Sequence, residues 1–305
     1  MLDLAILGGS IAGITAAIYG KRRNLNLKVI APEVGGEIVT TTYIENWPGE
    51  NSITGFDFSK KIHAQLEYNK VDFDLGYAVT KIEKIEGGFS LTIKNLAGEE
   101  KKEETRAILV ATGAKPRHLN IEGEKEFSHK GITYCATCDA PLFRNKITAV
   151  IGGGNSALTS ALMLAEIASE VYILNVHPEF RGESVLIEKV KNNPKIKILA
   201  EVKIQKITGE KMVKALEYLD KNGTTQTLAV QGIFVNIGLQ ANADFIDLVE
   251  KNQYGEIITD RAGRTNVPGI FAAGDVTNVP YKQIVIAAGM GCSATLAAID
   301  YLNQK

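Results

Sequence analysis

One segment occurs twice in this sequence, and that repeat constrains the fold more than any other feature. Residues 6–19 read ILGGSIAGITAAIY, and residues 150–163 read VIGGGNSALTSALM, with the two glycine-rich parts in register. Each copy is an apolar run, a glycine-rich turn, and then small and apolar residues at helical spacing, which is how a βαβ unit begins. A second apolar run follows each copy, LKVIA at 27–31 and EVYILN at 170–175. One such motif is weak evidence, but two copies in register predict an α/β fold with two Rossmann-like dinucleotide-binding domains.

The first of the two glycine-rich turns departs from the usual pattern. The motif needs three small residues, which tighten the turn, admit the pyrophosphate and let the helix pack on the strand. These are Gly8, Ser10 and Gly13 in the first copy, and Gly152, Gly154 and Ala157 in the second. Ser10 adds only a hydroxymethyl group, and its hydroxyl can donate to a phosphate oxygen at the helix N-terminus. We expect the first turn to be altered but able to bind a dinucleotide.

Two further segments indicate how the chain is divided into domains. AILVATGAKPRHL at 107–119 reads as a strand that ends in a glycine turn before Pro116, a typical exit from a domain. TNVPGIFAAGD at 265–275 reads as another strand that ends in a glycine and an acid, with a helix beginning near Lys282. We predict a discontinuous first domain, residues 1–114 and 246–305, with a second domain, residues 115–245, inserted into it.

Composition excludes several classes of partner. The chain has 305 residues with 45% hydrophobic content, enough for two domains with buried cores. Its 34 Lys and Arg residues nearly balance 35 acids, so the net charge of -1 gives no overall attraction to nucleic acid or to an anionic membrane. The first residues, MLDLAILGG, lack a signal-peptide pattern, and the uncharged run between Gln283 and Asp300 falls short of a membrane-spanning helix. We expect a cytoplasmic protein without nucleic-acid or membrane partners.

A cysteine pair stands between the two repeats, in the sequence TYCATCDAPLF. Cys135 and Cys138 have the C-x-x-C spacing that favours the thiolate near a helix start, and the thiolate is the species that exchanges disulfides. A zinc site needs more ligands than are present, because Cys292 is isolated and His129 lacks zinc-ligand spacing. A purely structural disulfide is uncommon in a reducing compartment. We expect a redox-active pair and no metal, and the adjacent Asp139 is a residue type that caps helices.

Seven segments in order resemble the low-molecular-weight thioredoxin reductases over nearly the whole chain. They are GGSIAG, GGEIVTTTYIENWPG, ATGAKP, CATCD, GGGNSA, TNVPGIFAAGD and KQIVIAAGMGCSA. The stretches GGGNSA, GIFVNIGL and VPYKQI are closer to the flavoprotein subunit of alkyl hydroperoxide reductase. Both belong to one class of FAD-dependent pyridine nucleotide-disulfide oxidoreductases. The resemblance implies a homodimeric flavoenzyme that reduces a disulfide in a thioredoxin, a glutaredoxin-like protein or a peroxiredoxin.

The resemblance also implies which residues hold FAD and which carry the electrons. The contacts expected for FAD are Gly8, Ser10, Ala12, Gly13, Glu33, Gly36, Glu37, Asn46, Val79, Gly113, Gly274, Asp275, Lys282, Gln283 and Ile284. Glu37 stands where the family usually has glutamine, which can alter the flavin contacts. Cys138 is expected to face the flavin, Cys135 to attack the partner disulfide, and Asp139 to move protons.

The inserted domain is expected to bind a nicotinamide cofactor, but its specificity signature is missing. The expected contacts are Gly152, Gly154, Asn155, Ser156, Asn175 and Arg181. Discrimination requires an acid for the 2'-hydroxyl of NADH or arginines for the 2'-phosphate of NADPH. Asn175, at the discriminating position, provides neither, and Arg181 alone remains of the basic cluster typical of thioredoxin reductases.

Several alternatives for the donor and the reaction stay open on the sequence alone. NADH ranks first, a non-nicotinamide donor such as ferredoxin second, and NADPH third, because nothing can hold a 2'-phosphate bidentately. Two other functions are compatible with the domains: a peroxide-forming NADH oxidase, which needs no cysteine pair, and a flavin-containing redox sensor.

We expect Cys292 to be a buried structural thiol.

Overall fold

The chain folds into two compact units, seen here in a computed structural model. The structure describes residues 1–41 and 44–304, with the side chains of Thr40, Thr137 and Cys138 outside that description. Unit 1 consists of Met1–Lys115 and Gln240–Lys305, and unit 2 consists of Pro116–Leu239. Unit 2 is thus an insertion in unit 1.

Both units contain helices and strands. The first segment of unit 1 contains β1 (Leu2–Leu7), α1 (Ile11–Lys21), β2 (Leu27–Ala31), α2 (Gly55–Tyr68), β3 (Asp72–Leu75), β4 (Tyr77–Ile85), β5 (Gly88–Asn95), β6 (Glu100–Val110) and, at the crossing, β7 (Ala114–Pro116). Unit 2 contains β8 (Ile132–Thr133), α3 (Ala136–Asp139), β9 (Ile147–Ile151), α4 (Asn155–Ile167), β10 (Glu170–Asn175), α5 (Ser184–Lys191), β11 (Ile196–Ala200), β12 (Lys203–Gly209), β13 (Val213–Leu219), β14 (Thr225–Ala229) and β15 (Gly232–Val235). The chain returns through β16 (Leu239–Ala241), followed in unit 1 by β17 (Ile270–Ala272) and α6 (Ile284–Asn303).

The sheet of unit 1 joins a parallel part and an antiparallel part at β6. Its strand order is β3-β2-β1-β6-β5-β4, and β17 also pairs with β6. β3, β2, β1, β6 and β17 are parallel, whereas β4, β5 and β6 form an antiparallel meander. The sequence of β6 explains this double role, because its charged first half, EKKEETR, has mostly exposed or half-buried residues and its apolar end, AILV, is fully buried. The charged half of β6 is therefore one side of the β5–β6 hairpin.

The repeated sequence folds in the same way in both units. It forms β1-α1-β2 in unit 1 and β9-α4-β10 in unit 2. Leu7 lies opposite Ile30 in the first copy, and Ile151 lies opposite Leu174 in the second. The residues of these two pairs occupy equivalent positions in the two sequence copies. The pairing between the two strands is therefore the same in both copies.

Unit 2 contains a parallel sheet and a separate antiparallel sheet. The parallel sheet has the order β11-β10-β9-β15-β8, and the antiparallel sheet is β12-β13-β14. The central strand β9 is almost wholly buried, which matches its continuous apolar sequence, ITAVI. Helix α4 covers one face of this sheet with small and apolar side chains. Both units thus contain the βαβ unit with which a Rossmann-like domain begins. The predicted α/β fold class is confirmed.

Helix α6 is the core helix of unit 1. Among the described helices it alone has the length and apolar composition to cross a membrane, although the sequence prediction placed this run below that limit. Its buried residues, among them Ala287, Ala294 and Ala298, belong to the same cluster as Ala16 of α1 and Phe271 of β17. The apolar composition of α6 is therefore accounted for by packing inside unit 1.

Two short strands carry the chain between the units. β7 and β16 pair with each other, and the amide of Arg117 donates to the carbonyl of Gly238 at 3.0 Å. The predicted exit after residue 114 adjoins the observed one, whereas the predicted return at 246 lies beyond Gln240. β16 has only three residues, two of them exposed, so it lacks the apolar pattern that marks a strand in a sequence.

Candidate functional site

The turn between β1 and α1 is closed by glycines that no larger residue can replace. Gly8 has a φ of 125°, and a Cβ there would lie 2.1 Å from the carbonyl oxygen of Ala111, the residue after β6. A Cβ on Gly13 would lie 2.0 Å from the carbonyl oxygen of Gly8. In this first copy, the first and last positions of the motif therefore need glycine for the tight turn and for helix packing.

Ser10 makes a hydrogen bond that the sequence did not suggest. Its hydroxyl donates to the carbonyl of Gly35 at 2.7 Å, and the amide of Gly35 donates to the carbonyl of Gly9 at 2.8 Å. These two bonds join the β1–α1 turn to the loop after β2. The hydroxyl of Ser10 therefore holds the loop after β2 against the turn.

The loop held by Ser10 carries three of the predicted FAD contacts. Glu33 and Glu37 are exposed, and Gly36 lies against Ser10, where an added Cβ would be 3.3 Å from the serine Cβ. The loop therefore places two carboxylates on the solvent side of the turn.

Residues predicted to border the flavin come together from distant parts of the chain. The side-chain amide of Asn46 donates to the Oε1 atom of Gln283 at 3.3 Å, although the two are 237 residues apart. Ile284, the first residue of α6, packs on the core shared with α1. Gly274 lies beside Ala12, because a Cβ on Gly274 would be 3.2 Å from the Cβ of Ala12. These residues form one region at the first turn, which we call the first cradle.

Asp275 is the ionisable group most affected by its position in the first cradle. Burial raises the pKa of Asp275 to about 6, the positive charge of Lys282 opposes this shift, and the negative charge of Glu37 adds to it. Lys282 is fixed beside it, since its ammonium donates to the carbonyls of Asp275 at 3.1 Å and Thr277 at 2.6 Å. The ammonium of Lys282 also forms an ion pair with the Oε1 atom of Glu256 at 2.9 Å. Glu256 was not predicted from the sequence, which offers no motif at that position.

Two predicted contacts lie at the edges of this region. Val79 is half-buried on β4, opposite Ile93 of β5, at a point where the register of the two strands shifts. Gly113 follows β6 and has no described atom within 4 Å of an added Cβ, so its backbone faces open space. Both positions are accessible to a ligand.

The second turn, between β9 and α4, repeats the geometry of the first. Gly152 has a φ of 143°, and a Cβ there would lie 2.2 Å from the carbonyl oxygen of Asn236. Gly154 has no described atom within 4 Å of an added Cβ, so the position where the backbone approaches a pyrophosphate is open. The amide of Arg181 donates to the carbonyl of Gly153 at 2.8 Å, the counterpart of the bond between Gly35 and Gly9. We call this region the second cradle.

Asn175, the residue at the discriminating position, is turned into the protein. It is 2% exposed, and its side-chain amide donates to the carbonyl of Glu179 at 2.9 Å. Its Oδ1 atom accepts from the amide of His177 at 3.3 Å and lies close to Gly153. Asn175 therefore shapes the loop after β10, and the groups it offers to a ribose are already in use.

The loop after β10 covers the start of α4. Asn155 and Glu183 pair reciprocally, because the Asn155 amide donates to Glu183 at 3.1 Å and the Glu183 backbone amide donates to Asn155 at 2.7 Å. Ser156 and Arg181 are exposed, and a guanidinium nitrogen of Arg181 is 3.5 Å from the Nδ1 atom of His177. Arg181 is thus an exposed cation at the second cradle, beside the half-buried His177 and among other exposed polar residues such as Ser156 and Glu183.

The redox pair lies in unit 2, at the short helix α3. Cys135 is disulfide-bonded, and it precedes the helix. The side chain of Cys138 lies outside the described part of the chain. The amide of Asp139 donates to the carbonyl of Cys135 at 3.1 Å, so the acid follows Cys135 by one helical turn. Asp139 occupies the N-cap position of the 3-10 turn Ala140–Phe143, but its side chain makes no capping bond there.

A buried glutamate next to the redox pair was missed from the sequence. Glu124 is 4% exposed and accepts hydrogen bonds from the amides of Leu119 at 2.9 Å and Asn120 at 2.7 Å. The hydroxyl of Tyr134, the residue before Cys135, donates to Glu124 at 3.1 Å and lies 2.9 Å from the Nδ1 atom of His118. Burial raises the pKa of Tyr134, and the negative charge of Glu124 adds to the effect. A tyrosine directly before the first cysteine was the signal available in the sequence.

The remaining cysteine and the possible metal ligands add no further centre. Cys292 is a free thiol on α6 and is half-buried, less than the full burial predicted for it. Among the described side chains, no three His, Cys, Asp or Glu residues are grouped so that they could hold a metal ion.

Both cradles have the features of a dinucleotide site. α1 begins after Ser10 and α4 begins after Gly154, and neither of these residues caps its helix with a side-chain bond. The amides at both helix starts can therefore bind phosphate oxygens, aided by the helix dipole. The glycines leave room for such a group, so the residues present fit one dinucleotide in each unit.

Comparison with known proteins places the chain among flavoprotein disulfide reductases. The family model described as pyridine nucleotide-disulphide oxidoreductase matches residues 2–291. The F subunit of alkyl hydroperoxide reductase of Staphylococcus aureus (strain NCTC 8325 / PS 47) is 40% identical over 305 residues, which cover 99% of this chain and 59% of that protein. A protein named NADH dehydrogenase, from Ferdinandcohnia aciditolerans, is 37% identical over 309 residues, which cover 99% of this chain and 58% of its own length. The chain thus spans about three fifths of the length of these curated relatives.

A solved structure of similar size matches the whole chain. Thioredoxin reductase from Streptococcus pyogenes MGAS5005 superimposes with a TM-score of 0.85 at 32% identity, covering 100% of this chain and 99% of that one. The resemblance to low-molecular-weight thioredoxin reductases, with similarity to the alkyl hydroperoxide reductase flavoprotein, is confirmed.

Proposed function

The chain belongs to the pyridine nucleotide-disulphide oxidoreductase family, and from that premise we propose that it is a thioredoxin-reductase-like flavoenzyme. FAD binds in the first cradle, and NADH is the electron donor at the second. The Cys135/Cys138 pair passes the electrons to a disulfide in a thioredoxin, a glutaredoxin-like protein or a peroxiredoxin. The observation that carries this proposal is the disulfide-bonded Cys135 in the same unit as the second cradle, with Asp139 one helical turn away.

The first cradle supplies the contacts for FAD in this proposal. The pyrophosphate binds at the start of α1, between Gly8 and Gly13, while Glu33 takes a ribose hydroxyl. Asp275 and the Asn46–Gln283 pair border the ribityl chain and the ring. FAD held by these residues would supply two-electron transfer between the donor and the disulfide.

The second cradle favours NADH over NADPH. Holding a 2'-phosphate requires a fork of cationic donors, and at the end of β10 Asn175 is committed to its own loop. Arg181 offers one exposed guanidinium beside the half-buried imidazole of His177, and the described loop 176–183 contains no second arginine. The relative named NADH dehydrogenase supports the same choice. Ferredoxin as the donor is the alternative against which this proposal is tested.

The cysteine pair performs the transfer to the partner by two exchange steps. The Cys135 thiolate attacks one sulfur of the partner disulfide, which forms a mixed disulfide and releases the other partner sulfur as a thiolate. The Cys138 thiolate then attacks the Cys135 sulfur, which restores the Cys135–Cys138 disulfide and releases the second partner thiolate. Two electrons leave the pair, and the two protons from its thiols end on the partner. Asp139 relays a proton between these sulfurs.

Serine variants of the cysteines test the assignment. We expect Cys138→Ser to lose thioredoxin-linked disulfide turnover completely while it retains bound FAD, because a single thiol cannot release the mixed disulfide. Cys292→Ser is the matched control, and we expect its turnover to equal that of the wild type. Turnover is measured with NADH, oxidised thioredoxin and insulin, and with an oxidised peroxiredoxin.

Two results would contradict the assignment. Full disulfide turnover in Cys138→Ser would remove the pair from the reaction. Rapid NADH-dependent oxygen consumption without any disulfide turnover in the wild type would instead indicate the peroxide-forming oxidase. We also propose that the protein is cytoplasmic and that it forms a homodimer. Sedimentation of the purified protein tests the homodimer.

A further inference from the structure

A ring of hydrogen bonds joins Thr133 to two members of the redox centre. The Thr133 hydroxyl donates to the Oδ2 atom of Asp139. The hydroxyl oxygen of Thr133 also accepts from the amide of Cys135 at 3.3 Å, and the amide of Asp139 donates to the carbonyl of Cys135 at 3.1 Å. Three hydrogen bonds therefore close a loop through Thr133, Cys135 and Asp139, which we call the Thr133 ring.

Thr133 is held in place independently of the two residues that it contacts. It is the last residue of β8 and lies opposite Phe234 of β15 in the parallel sheet of unit 2. Its side chain is buried, with the residue 8% exposed, and its hydroxyl both donates and accepts. A buried hydroxyl with both functions satisfied is a rigid support for the groups bonded to it.

The Thr133 ring differs from an ordinary helix cap, and this chain contains an example of the latter for comparison. At the start of α2, the Thr54 hydroxyl accepts from the amide of Asp57 at 3.1 Å and donates to the Oδ2 atom of the same residue at 2.7 Å, so both of its bonds lie within the first turn of the helix. Thr133 lies three residues before the first residue of α3, and it contacts the amide before the helix and the carboxylate at its end. Satisfying the first-turn amides of α3 therefore does not account for its bonds.

We propose that Thr133 is a positioning residue for disulfide exchange, one that fixes the Asp139 carboxylate in relation to Cys135. This inference rests on the proposed function, in which Asp139 relays the proton between sulfurs. Proton transfer requires the carboxylate within hydrogen-bond reach of the reacting group, so a freely rotating Asp139 would transfer the proton less often. The hydroxyl limits that rotation because it bonds one of the two carboxylate oxygens.

The chain allows an isosteric test of this role. Thr133→Val keeps the shape and the strand preference of the side chain but removes the hydroxyl, whereas Thr133→Ser keeps the hydroxyl. The reaction is the single-turnover reduction of a chromogenic aromatic disulfide by the dithionite-reduced holoenzyme, followed over a range of disulfide concentrations. This probe does not depend on which protein is the natural partner.

We expect Thr133→Val to lower the saturating rate about tenfold, the loss associated with one hydrogen bond to a charged group, with the half-saturating disulfide concentration unchanged. Thr133→Ser should restore most of the rate. The rate of flavin reduction by NADH and the FAD content should match the wild type in both variants, because neither depends on Asp139. These two readouts, together with the unfolding midpoint, separate lost positioning from a damaged fold.

The outcomes distinguish this inference from the proposed function. A Thr133→Val protein that keeps the wild-type saturating rate overturns the role of Thr133. Equal loss in the valine and serine variants also overturns it, because the hydroxyl would then not be the group that matters. If Cys138→Ser keeps full disulfide turnover, the proposed function itself is wrong, whatever the threonine variants do.

Discussion

At the scale of single residues, Asp275 couples the ionisation of the first cradle to the stability of unit 1. Burial raises its pKa from an ordinary 3.8 to about 6, with Lys282 opposing and Glu37 reinforcing the shift. Between these two pH values the folded state keeps a proton that the unfolded chain has lost. The free energy of unfolding is therefore not reduced by Asp275 below pH 3.8, where the carboxyl is protonated in both states. It declines as the pH rises through about 6, because the buried carboxyl must then ionise in the folded state.

Replacing Asp275 with asparagine tests this coupling. Asparagine cannot ionise, so we expect Asp275→Asn to raise the free energy of unfolding of the apoprotein, relative to wild type, by up to about 3 kcal/mol above pH 6. The gain should vanish below pH 3.8. Urea unfolding at a series of pH values measures it, and a difference independent of pH would contradict the account.

Asp260 is a control of opposite sign in the same unit. There the cost of burial is outweighed by backbone hydrogen bonds from Arg264 and Ala262, which lower the pKa of Asp260. Its contribution to stability is present at neutral pH and is lost as the pH falls through the lowered pKa. The two aspartates should therefore show opposite pH trends in their asparagine variants.

Residue identities in the two turns could be predicted, but the partners of Ser10 and Asn175 could not. The glycine spacing alone indicates where the backbone must turn tightly. The bond from Ser10 to Gly35 depends on how the loop after β2 folds back, and that loop has no periodic pattern. Asn175 likewise bonds within an irregular loop, so its inward orientation is a tertiary property.

At the scale of elements, the contact between α1 and α6 depends on one glycine. A Cβ on Gly291 would lie 2.2 Å from the carbonyl oxygen of Ala12, a distance that forces the helices apart. Gly289, one half-turn earlier on α6, has no described atom within 4 Å of an added Cβ. The two glycines therefore share a helix but differ in their surroundings.

Alanine substitutions at these two positions separate packing from helix propensity. Gly291→Ala should destabilise unit 1 by about 1–3 kcal/mol or more, since backbone atoms must move to admit the methyl group. Gly289→Ala should stabilise it by about 0.5–1 kcal/mol, because alanine is the better helix former. Calorimetric unfolding midpoints measure both effects. Equal midpoints for the two variants would contradict the close approach of α6 to α1.

The long, patterned elements were predictable from the sequence, and the short ones were not. The repeated strand-turn-helix segments appear as β1-α1-β2 and β9-α4-β10, with their strand register preserved. β8 has two residues and β16 has three, too few to show any periodicity. This is why Thr133, at the end of β8, did not stand out as a site residue.

At the scale of the whole molecule, two copies of one binding turn have acquired different surroundings. In unit 1 the loop after β2 exposes Glu33, an acid that can take a ribose hydroxyl. In unit 2 the corresponding loop exposes Arg181 beside the half-buried His177 and uses Asn175 internally. We propose that the first cradle holds FAD and that the second admits NADH, so that electrons reach Cys135 through the flavin.

Anaerobic stopped-flow measurement of flavin absorbance tests that claim most directly. The holoenzyme is mixed in parallel with NADH, with NADPH and with reduced ferredoxin, and oxidised thioredoxin is added after the flavin has been bleached. We predict that NADH bleaches the flavin at least about tenfold faster than NADPH, the discrimination expected from one missing charged contact, and that thioredoxin restores the colour. Faster bleaching by NADPH, or bleaching by reduced ferredoxin alone, would contradict the account.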